Sequence, residues 1–246
     1  MELTGNTILV TGGASGIGLA LAGRFVNRGN QVIICGRRKD KLEEAKERVP
    51  QFHIRVCDVA EPSGRIALCD WAKAEFPGLN VLVNNAGIQR RVDLTKNEEW
   101  DSTSAEIAIN LEAPIHLTQL FYTHVSAKPN PAILNVTSGL SFVPLANVPV
   151  YSATKTAFHS FTLSLRHQLS STSVEVIEII PPAVDTDLGG PGLHTFGVNL
   201  DEFADAVFAG LEQGKAEIAY GTALQASLAS SEERAAIFQG MNARFN

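Results

Sequence analysis

The 246-residue chain has little cysteine, no excess of positive charge and no long run of apolar residues. Its three cysteines, Cys35, Cys57 and Cys69, are an odd number with no close pair. That excludes a disulfide framework, and the absence of paired Cys or Cys/His spacing points to no metal site. Free thiols in a reducing compartment fit this usage. Lys plus Arg number 20 against 26 Asp plus Glu, a formal net charge of −6. Binders of phosphate backbones usually carry a basic excess, so nucleic acid is not an expected partner. Met1 to Gly5 lacks a basic region ahead of an apolar stretch, and no signal peptide is read there. The longest uncharged run, Pro129 to Thr154, holds four prolines and many Ser, Thr and Asn. Those groups would go unsatisfied in lipid, so no membrane span is expected and a cytoplasmic location is.

What is present is a globular composition, 45% hydrophobic and 19% charged, which excludes a disordered chain, a coiled coil and a collagen-like fibre. Short apolar runs alternate with helical patterns. The strand candidates are Thr7–Val10, Gln31–Cys35, Phe52–Cys57, Val81–Val83, Ala132–Thr137, Val174–Ile180 and Glu217–Tyr220. Most are continuously apolar, as strands buried on both faces are. The helix candidates are Gly18–Asn27, Lys41–Arg48, Ile66–Glu75, Glu98–Ser126, Ser152–Ser170 and Asp201–Glu212, with Gly29 placed as a C-cap. This order predicts an α/β fold: a doubly wound, mostly parallel sheet of about seven strands, helices on both faces, in one domain over 1–246. The Gly-rich stretch 189–197 reads as a loop or lid. Residues 222–246 read as an amphipathic helical tail. Ligands of such sheets bind at the carboxyl ends of the strands.

The first strand runs into Thr11-Gly12-Gly13-Ala14-Ser15-Gly16-Ile17-Gly18, and a helix pattern follows at once. Glycines at 12, 16 and 18 allow a tight turn and close backbone approach to a pyrophosphate, which the helix N-terminus then attracts. An NAD-type site places Asp or Glu about 20 residues later, on the ribose 2′-OH. Here that point reads Cys35-Gly36-Arg37-Arg38, with no carboxylate before Asp40. A guanidinium attracts a 2′-phosphate, so NADP(H) is favoured over NAD(H), with Arg37 the first candidate and Arg38 the next. Two solvated surface arginines are the other reading of the pair.

Tyr151 and Lys155 are four apart in a helix pattern and share a face. A nearby ammonium lowers a phenol's pKa, which lets the phenol exchange a proton with a carbonyl or alcohol oxygen. Ser138, at the end of a strand candidate, can hydrogen-bond that oxygen. Asn110 breaks a helix pattern between Ile109 and Leu111, where Asn competes with the backbone. It is either a functional position or a satisfied buried amide. Asn84-Asn85-Ala86-Gly87 follows another strand candidate, as a cofactor-lining turn or an Asx turn.

Together these residues resemble the short-chain dehydrogenase/reductase family, over Thr11 to about Thr186. The resemblance implies that Gly12, Gly16 and Gly18 cradle a diphosphate, with Ser15 and Ile17 beside it. It implies Asp58 and Val59 at the adenine, Asn84, Ala86 and Gly87 along the adenosine side, and Pro181, Val184 and Thr186 near the nicotinamide. Asn110, Ser138, Tyr151 and Lys155 match the catalytic tetrad. In that reading Tyr151 is the acid/base and Ser138 steadies the substrate oxygen. Lys155 binds the nicotinamide ribose and lowers the tyrosine pKa, and Asn110 holds a water.

The chain departs from the family in two places. Pro181-Pro182 stands where Pro-Gly is usual, and a helical tail follows Ala216–Gly221 where a Gly-rich strand is usual. This end is similar to a branch named for an oxidoreductase encoded beside lipoteichoic-acid D-alanylation functions. The expectation is an NADP(H)-dependent oxidoreductase acting on a small carbonyl or alcohol, as a dimer or tetramer. The alternatives are an NAD-dependent alcohol dehydrogenase of the same family and a non-catalytic dinucleotide sensor or scaffold. Residues 188–200 are expected over the substrate, where Leu193, Phe196 and Val198 suggest an apolar carbonyl compound, with His194 a solvated loop residue.

Overall fold

The computed structural model describes residues 1–96 and 99–243. Seven parallel strands form one sheet among the described residues: β1 Thr7–Thr11, β2 Gln31–Gly36, β3 His53–Val56, β4 Leu79–Asn84, β5 Ala132–Val136, β6 Glu175–Ile180 and β7 Glu217–Ala219. Their order is β3-β2-β1-β4-β5-β6-β7. The helices are α1 Gly16–Asn27, α2 Lys39–Arg48, α3 Pro62–Glu75, α4 Trp100–Ile107, α5 Ala113–Ser126, α6 Pro149–Gln168, α7 Leu200–Glu212, α8 Gly221–Leu228 and α9 Ser231–Asn242.

Alternation along each strand decides which layer each residue joins. Ile8 and Val10 on β1 pack with Leu21 and Phe25 of α1 and Phe203 of α7. Leu9, between them, packs on the opposite face with Leu68 of α3 and Phe121 of α5. All are 0–1% exposed. Each side chain buried this far stabilises the fold by roughly 1.5–3 kcal/mol. The winding reverses between β1 and β4, so the crevice at their carboxyl ends lies between the glycine loop and Asn84–Gly87. No helix among the described residues is long and apolar enough to cross a membrane.

Several boundaries differ from the sequence reading, for local reasons. α3 and α6 begin at Pro62 and Pro149, because proline fits the first helical turn, where its missing N–H costs nothing. The expected helix 98–126 is broken. α4 ends at Ile107, a π-turn spans Ala108–Glu112, and α5 begins at Ala113; Glu98 lies outside the described residues. Pro114 explains the break: it cannot donate to the Asn110 carbonyl four residues back, and its ring would clash with that carbonyl. The tail is two helices, not one. A capping box of Ser230 and Glu233 starts α9 after a break at Ala229. Residues 244–246 of the expected tail lie outside the described residues.

Candidate active site

The glycine loop is shaped by contacts that leave no room for a Cβ. A Cβ on Gly18 would lie 2.4 Å from the Asn85 Nδ2 and 2.5 Å from the Gly12 carbonyl oxygen; one on Gly12 would lie 2.9 Å from the Ala86 Cα. Gly12 and Gly16 have φ of +64° and +52°, the left-handed region. Asn85, which the sequence reading did not single out, locks the loop: its Nδ2 donates to the carbonyls of Thr11 (2.9 Å) and Gly12 (3.2 Å). Thr11 Oγ1 accepts from the amides of Asn85 and Ala86, both at 3.0 Å. Ser15 is the N-cap of α1, yet its side chain caps no helix amide. Its hydroxyl instead accepts from Arg38 Nη2 at 3.0 Å. No N-cap side chain thus occupies the first-turn amides. Gly18→Ala is expected to displace Asn85 and weaken dinucleotide binding by ~10-fold or more, a loss of over ~1.4 kcal/mol, measured by fluorescence titration with NADPH.

Arg37 and Arg38 both lie on the surface at the end of β2. Arg38, the second candidate from sequence, is the one that reaches the loop. Asp58 Oδ1 accepts from the Ala60 amide at 2.9 Å. Val59, Ala86 and Ile109 line a narrow crevice with Thr11 and Asn84. The Asn84 side chain donates to Asn135 Oδ1 (2.9 Å) and Thr118 Oγ1 (3.2 Å).

Ser138, Tyr151 and Lys155 come together although β5 carries the first toward its end and α6 carries the others. Ser138 stands close enough to the Tyr151 phenol to favour its ionised form. Its oxygen also accepts from the Leu140 amide at 3.1 Å, which fixes the rotamer. Lys155 Nζ lies 5.8 Å from the Tyr151 ring centroid and donates to the Val136 carbonyl at 2.8 Å. Burial pushes Tyr151 up to about 12, against the pull of Ser138 and with a further push from Glu106. Burial brings Lys155 down to about 8. The expected lowering of the tyrosine by the lysine is not among the causes of its shift: burial dominates, and the ammonium is drawn to a carbonyl.

Asn110 sits in the π-turn, a feature that recurs at functional sites. Its Oδ1 accepts from the Ile88 amide at 2.9 Å, and its Nδ2 donates to the Ile88 carbonyl at 2.8 Å and to Thr154 Oγ1 at 3.2 Å. Gly87 lies between Asn110 and Lys155: a Cβ there would stand 3.4 Å from Asn110 Oδ1 and 3.7 Å from Lys155 Nζ. Asn110 and Lys155 thus stand beside the turn, Asn84–Gly87, that locks the glycine loop.

The short chain dehydrogenase profile matches residues 6–193. The chain belongs to the short-chain dehydrogenases. This dehydrogenase is 52% identical over 224 residues to an uncharacterized oxidoreductase, DltE, of Bacillus subtilis (strain 168), covering 89% of each chain. It is 31% identical over 219 residues to an uncharacterized oxidoreductase of Staphylococcus aureus, covering 87% of this chain and 94% of the relative. A short chain dehydrogenase from Burkholderia cenocepacia, solved in complex with NADP, superposes with a TM-score of 0.84 at 26% identity, over 98% of this chain and 99% of that one. An enzyme of Burkholderia phymatum solved with NAD shares the fold, with a TM-score of 0.85 at 18% identity over 96% of each chain.

The shell around the dehydrogenase's tetrad holds residues that no motif marks. Behind Lys155, the fully buried Glu178 of β6 accepts from Thr137 Oγ1 at 2.6 Å and meets His159 Nδ1 at 2.8 Å. The tail buttresses the segment between Ser138 and Tyr151. Gly139 packs so closely on Ala223 of α8 that a Cβ would lie 2.9 Å from it, and Asn242 of α9 accepts from the Ala146 amide at 2.7 Å. Pro181, Val184 and Thr186 follow β6. The Pro181 carbonyl accepts from the Gly139 amide at 2.9 Å, and Thr186 lies over Gly16, its Cγ2 3.4 Å from where a Cβ would stand.

The loop expected over the substrate is tied at its base by a parallel bridge between Val184 and Val198. Phe196 is 77% exposed at its tip. His194 is half-buried rather than solvated. Its Nδ1 is shut off from water without a hydrogen-bond partner, and burial lowers its pKa.

Proposed function

We propose that this dehydrogenase transfers hydride between a nicotinamide dinucleotide, NADP(H) in preference, and a carbonyl/alcohol pair, with Tyr151 as the proton donor and acceptor. The observation that carries this reading is the pairing of Ser138 with Tyr151, whose phenol the Ser138 hydroxyl favours in its ionised form, with Lys155 one turn along α6 and Gly87 between Lys155 and Asn110. The residues fit such a cofactor. Gly12 and Gly18 leave a backbone cradle where any Cβ would collide, and the first turn of α1 is uncapped by a side chain. A bound nicotinamide dinucleotide supplies or takes the hydride.

The chain's own residues do the rest. Tyr151, held protonated by burial, donates to a carbonyl oxygen as charge builds on it. Ser138 donates or accepts at the same oxygen and fixes its place. Lys155, whose ammonium already meets a carbonyl, lies within reach of further acceptors beside Gly87. A sensor of dinucleotides has no use for a buried phenol paired with a hydroxyl, which favours the enzyme. The relative solved with NADP supports the cofactor class.

The preference for NADP(H) rests on the basic end of β2. Arg38 is anchored on Ser15 beside the loop, and Arg37 stands next to it. Arg38→Ala is expected to weaken NADPH by ~10–100-fold and NADH far less, the effect of one charge-assisted bond to phosphate. Arg37→Ala is expected to act in the same direction with a smaller effect. Equal losses for both cofactors would remove the assignment. The reaction itself is tested with a panel of aldehydes and ketones, following loss of reduced-cofactor absorbance. Turnover with NADPH supports the reading, and tight NADPH binding without turnover on any carbonyl would favour the sensor.

A further inference from the structure

Residues 87–92 form a strap that crosses α4 and the π-turn at the edge of the site. Asn110 holds it at Ile88, through both the amide and the carbonyl. One helical turn earlier, Glu106 Oε1 accepts from the Arg90 amide at 3.3 Å. The two clasps are in register. Residues four apart on a helix stand on one face, and alternate residues of an extended segment point the same way. A helical turn advances ~5.4 Å and two extended residues advance ~6.6 Å, so successive turns meet alternate amides. Glu106 is fully buried, and its Oε2 has no hydrogen-bond partner. Arg90 Nη1 is likewise buried and unbonded. α4, which bears this carboxyl, packs on α6, which bears Tyr151, so a charge on Glu106 raises the phenol.

We propose that Glu106 is a positioning residue of this site: it fixes the strap 88–90 in register with Asn110 and sets a buried carboxyl on the helix packed against the one that bears the proton-transferring phenol. The second half rests on the reading of Tyr151 as proton donor. The charged and titratable groups around Glu106 are Arg90 on the strap and Tyr151 on α6, with Lys155 one turn further along α6. Burial pushes Glu106 up to about 7, against the pull of the Arg90 amide and guanidinium. The phenol, raised chiefly by burial, stays protonated on both sides of that pH; above it the charge on Glu106 makes the phenol a weaker acid, and below it the neutral acid lets the phenol give up its proton more readily.

Two variants separate the roles. Glu106→Gln keeps an oxygen for the Arg90 amide and removes the charge; Glu106→Ala removes both. Hydrogen exchange read by NMR at Ile88 and Arg90 tests the clasp. The Arg90 amide is expected to exchange at least about fivefold faster in the alanine variant, as for a lost hydrogen bond, and at the wild-type rate in the glutamine variant. Tyrosine labelled at the ζ carbon tests the charge, with the Tyr151 signal assigned by its loss in Tyr151→Phe. That signal is expected to shift across pH 7 in the wild type and to stay still in Glu106→Gln. With a nitro-substituted benzaldehyde as the probe carbonyl, Glu106→Gln is expected to lose the inflection near pH 7 in its pH–rate profile. Wild-type exchange at Arg90 in the alanine variant, or a Tyr151 signal that still titrates near pH 7 in Glu106→Gln, would overturn the proposal. If the wild type leaves the probe untouched, the exchange and labelled-tyrosine results still decide the role of Glu106, and only the proton-donor reading fails.

Discussion

Tyr151→Phe is expected to lower carbonyl turnover by about 10²–10⁴-fold, the range that general acid–base catalysis contributes. The substitution keeps the buried ring and removes only the hydroxyl. Ser138 keeps its bond from the Leu140 amide, so the strand end stays in place. Lys155 keeps its bond to Val136. NADPH affinity is therefore expected to hold while kcat collapses, and the fold is expected to lose about 1 kcal/mol for one hydrogen bond. Steady-state kinetics and NADPH titration on the same preparation check both halves. Turnover kept within a few-fold would remove Tyr151 from the chemistry. A matching loss of NADPH affinity would make the residue structural.

The second large effect is on stability. His159→Ala is expected to destabilise the fold by about 3 kcal/mol, the lower end for breaking a buried ion pair. The lower end applies because the His159 side chain keeps 18% exposure, while Glu178 keeps none. Losing the imidazole leaves the Glu178 carboxylate buried with only Thr137 Oγ1 as a side-chain donor. The pair also gives a pH signature. The hydrogen bond to Glu178 raises His159, against the effect of burial. An unfolded histidine titrates near ~6.5, and a group raised on folding contributes fully below its unfolded value. That contribution is lost as pH rises through the folded value. Urea unfolding of both proteins across this range checks the sign: the gap is expected to be wide at about pH 6 and narrower at about pH 9. A gap independent of pH would mean that His159 is not charged against Glu178.

Much of the architecture was legible because it is written in local chemistry. Short apolar runs such as Val32–Cys35, bounded by Gly29 and Gly36, suit strands covered on both faces, and each expected strand is found within a residue or two at its ends. Gly12 and Gly18 were legible because a backbone pressed against Asn85 tolerates nothing larger, and Gly16 because its φ of +52° is left-handed. Boundaries were misread where proline acts by position. Pro62 and Pro149 start helices rather than precede them, and Pro114 converts the middle of an expected helix into the turn that bears Asn110. The Ser230–Glu233 capping box was a readable signal for a second tail helix.

Other functional positions carry no local signal. Asn85, Glu106, His159 and Glu178 act through partners far away in sequence, and only folding brings those partners near. A lone glutamate one turn before Asn110 looks like a surface residue until the strap covers it. That Arg38 rather than Arg37 reaches the glycine loop has the same origin, since the Ser15 hydroxyl it meets is 23 residues away.

The most direct test of the account is a crystal structure with NADP⁺ bound. It is expected to show the pyrophosphate on the first turn of α1, the 2′-phosphate at Arg37 and Arg38, and the nicotinamide ring facing the Tyr151 hydroxyl. A dinucleotide bound elsewhere, or one whose nicotinamide points away from Ser138 and Tyr151, would contradict it.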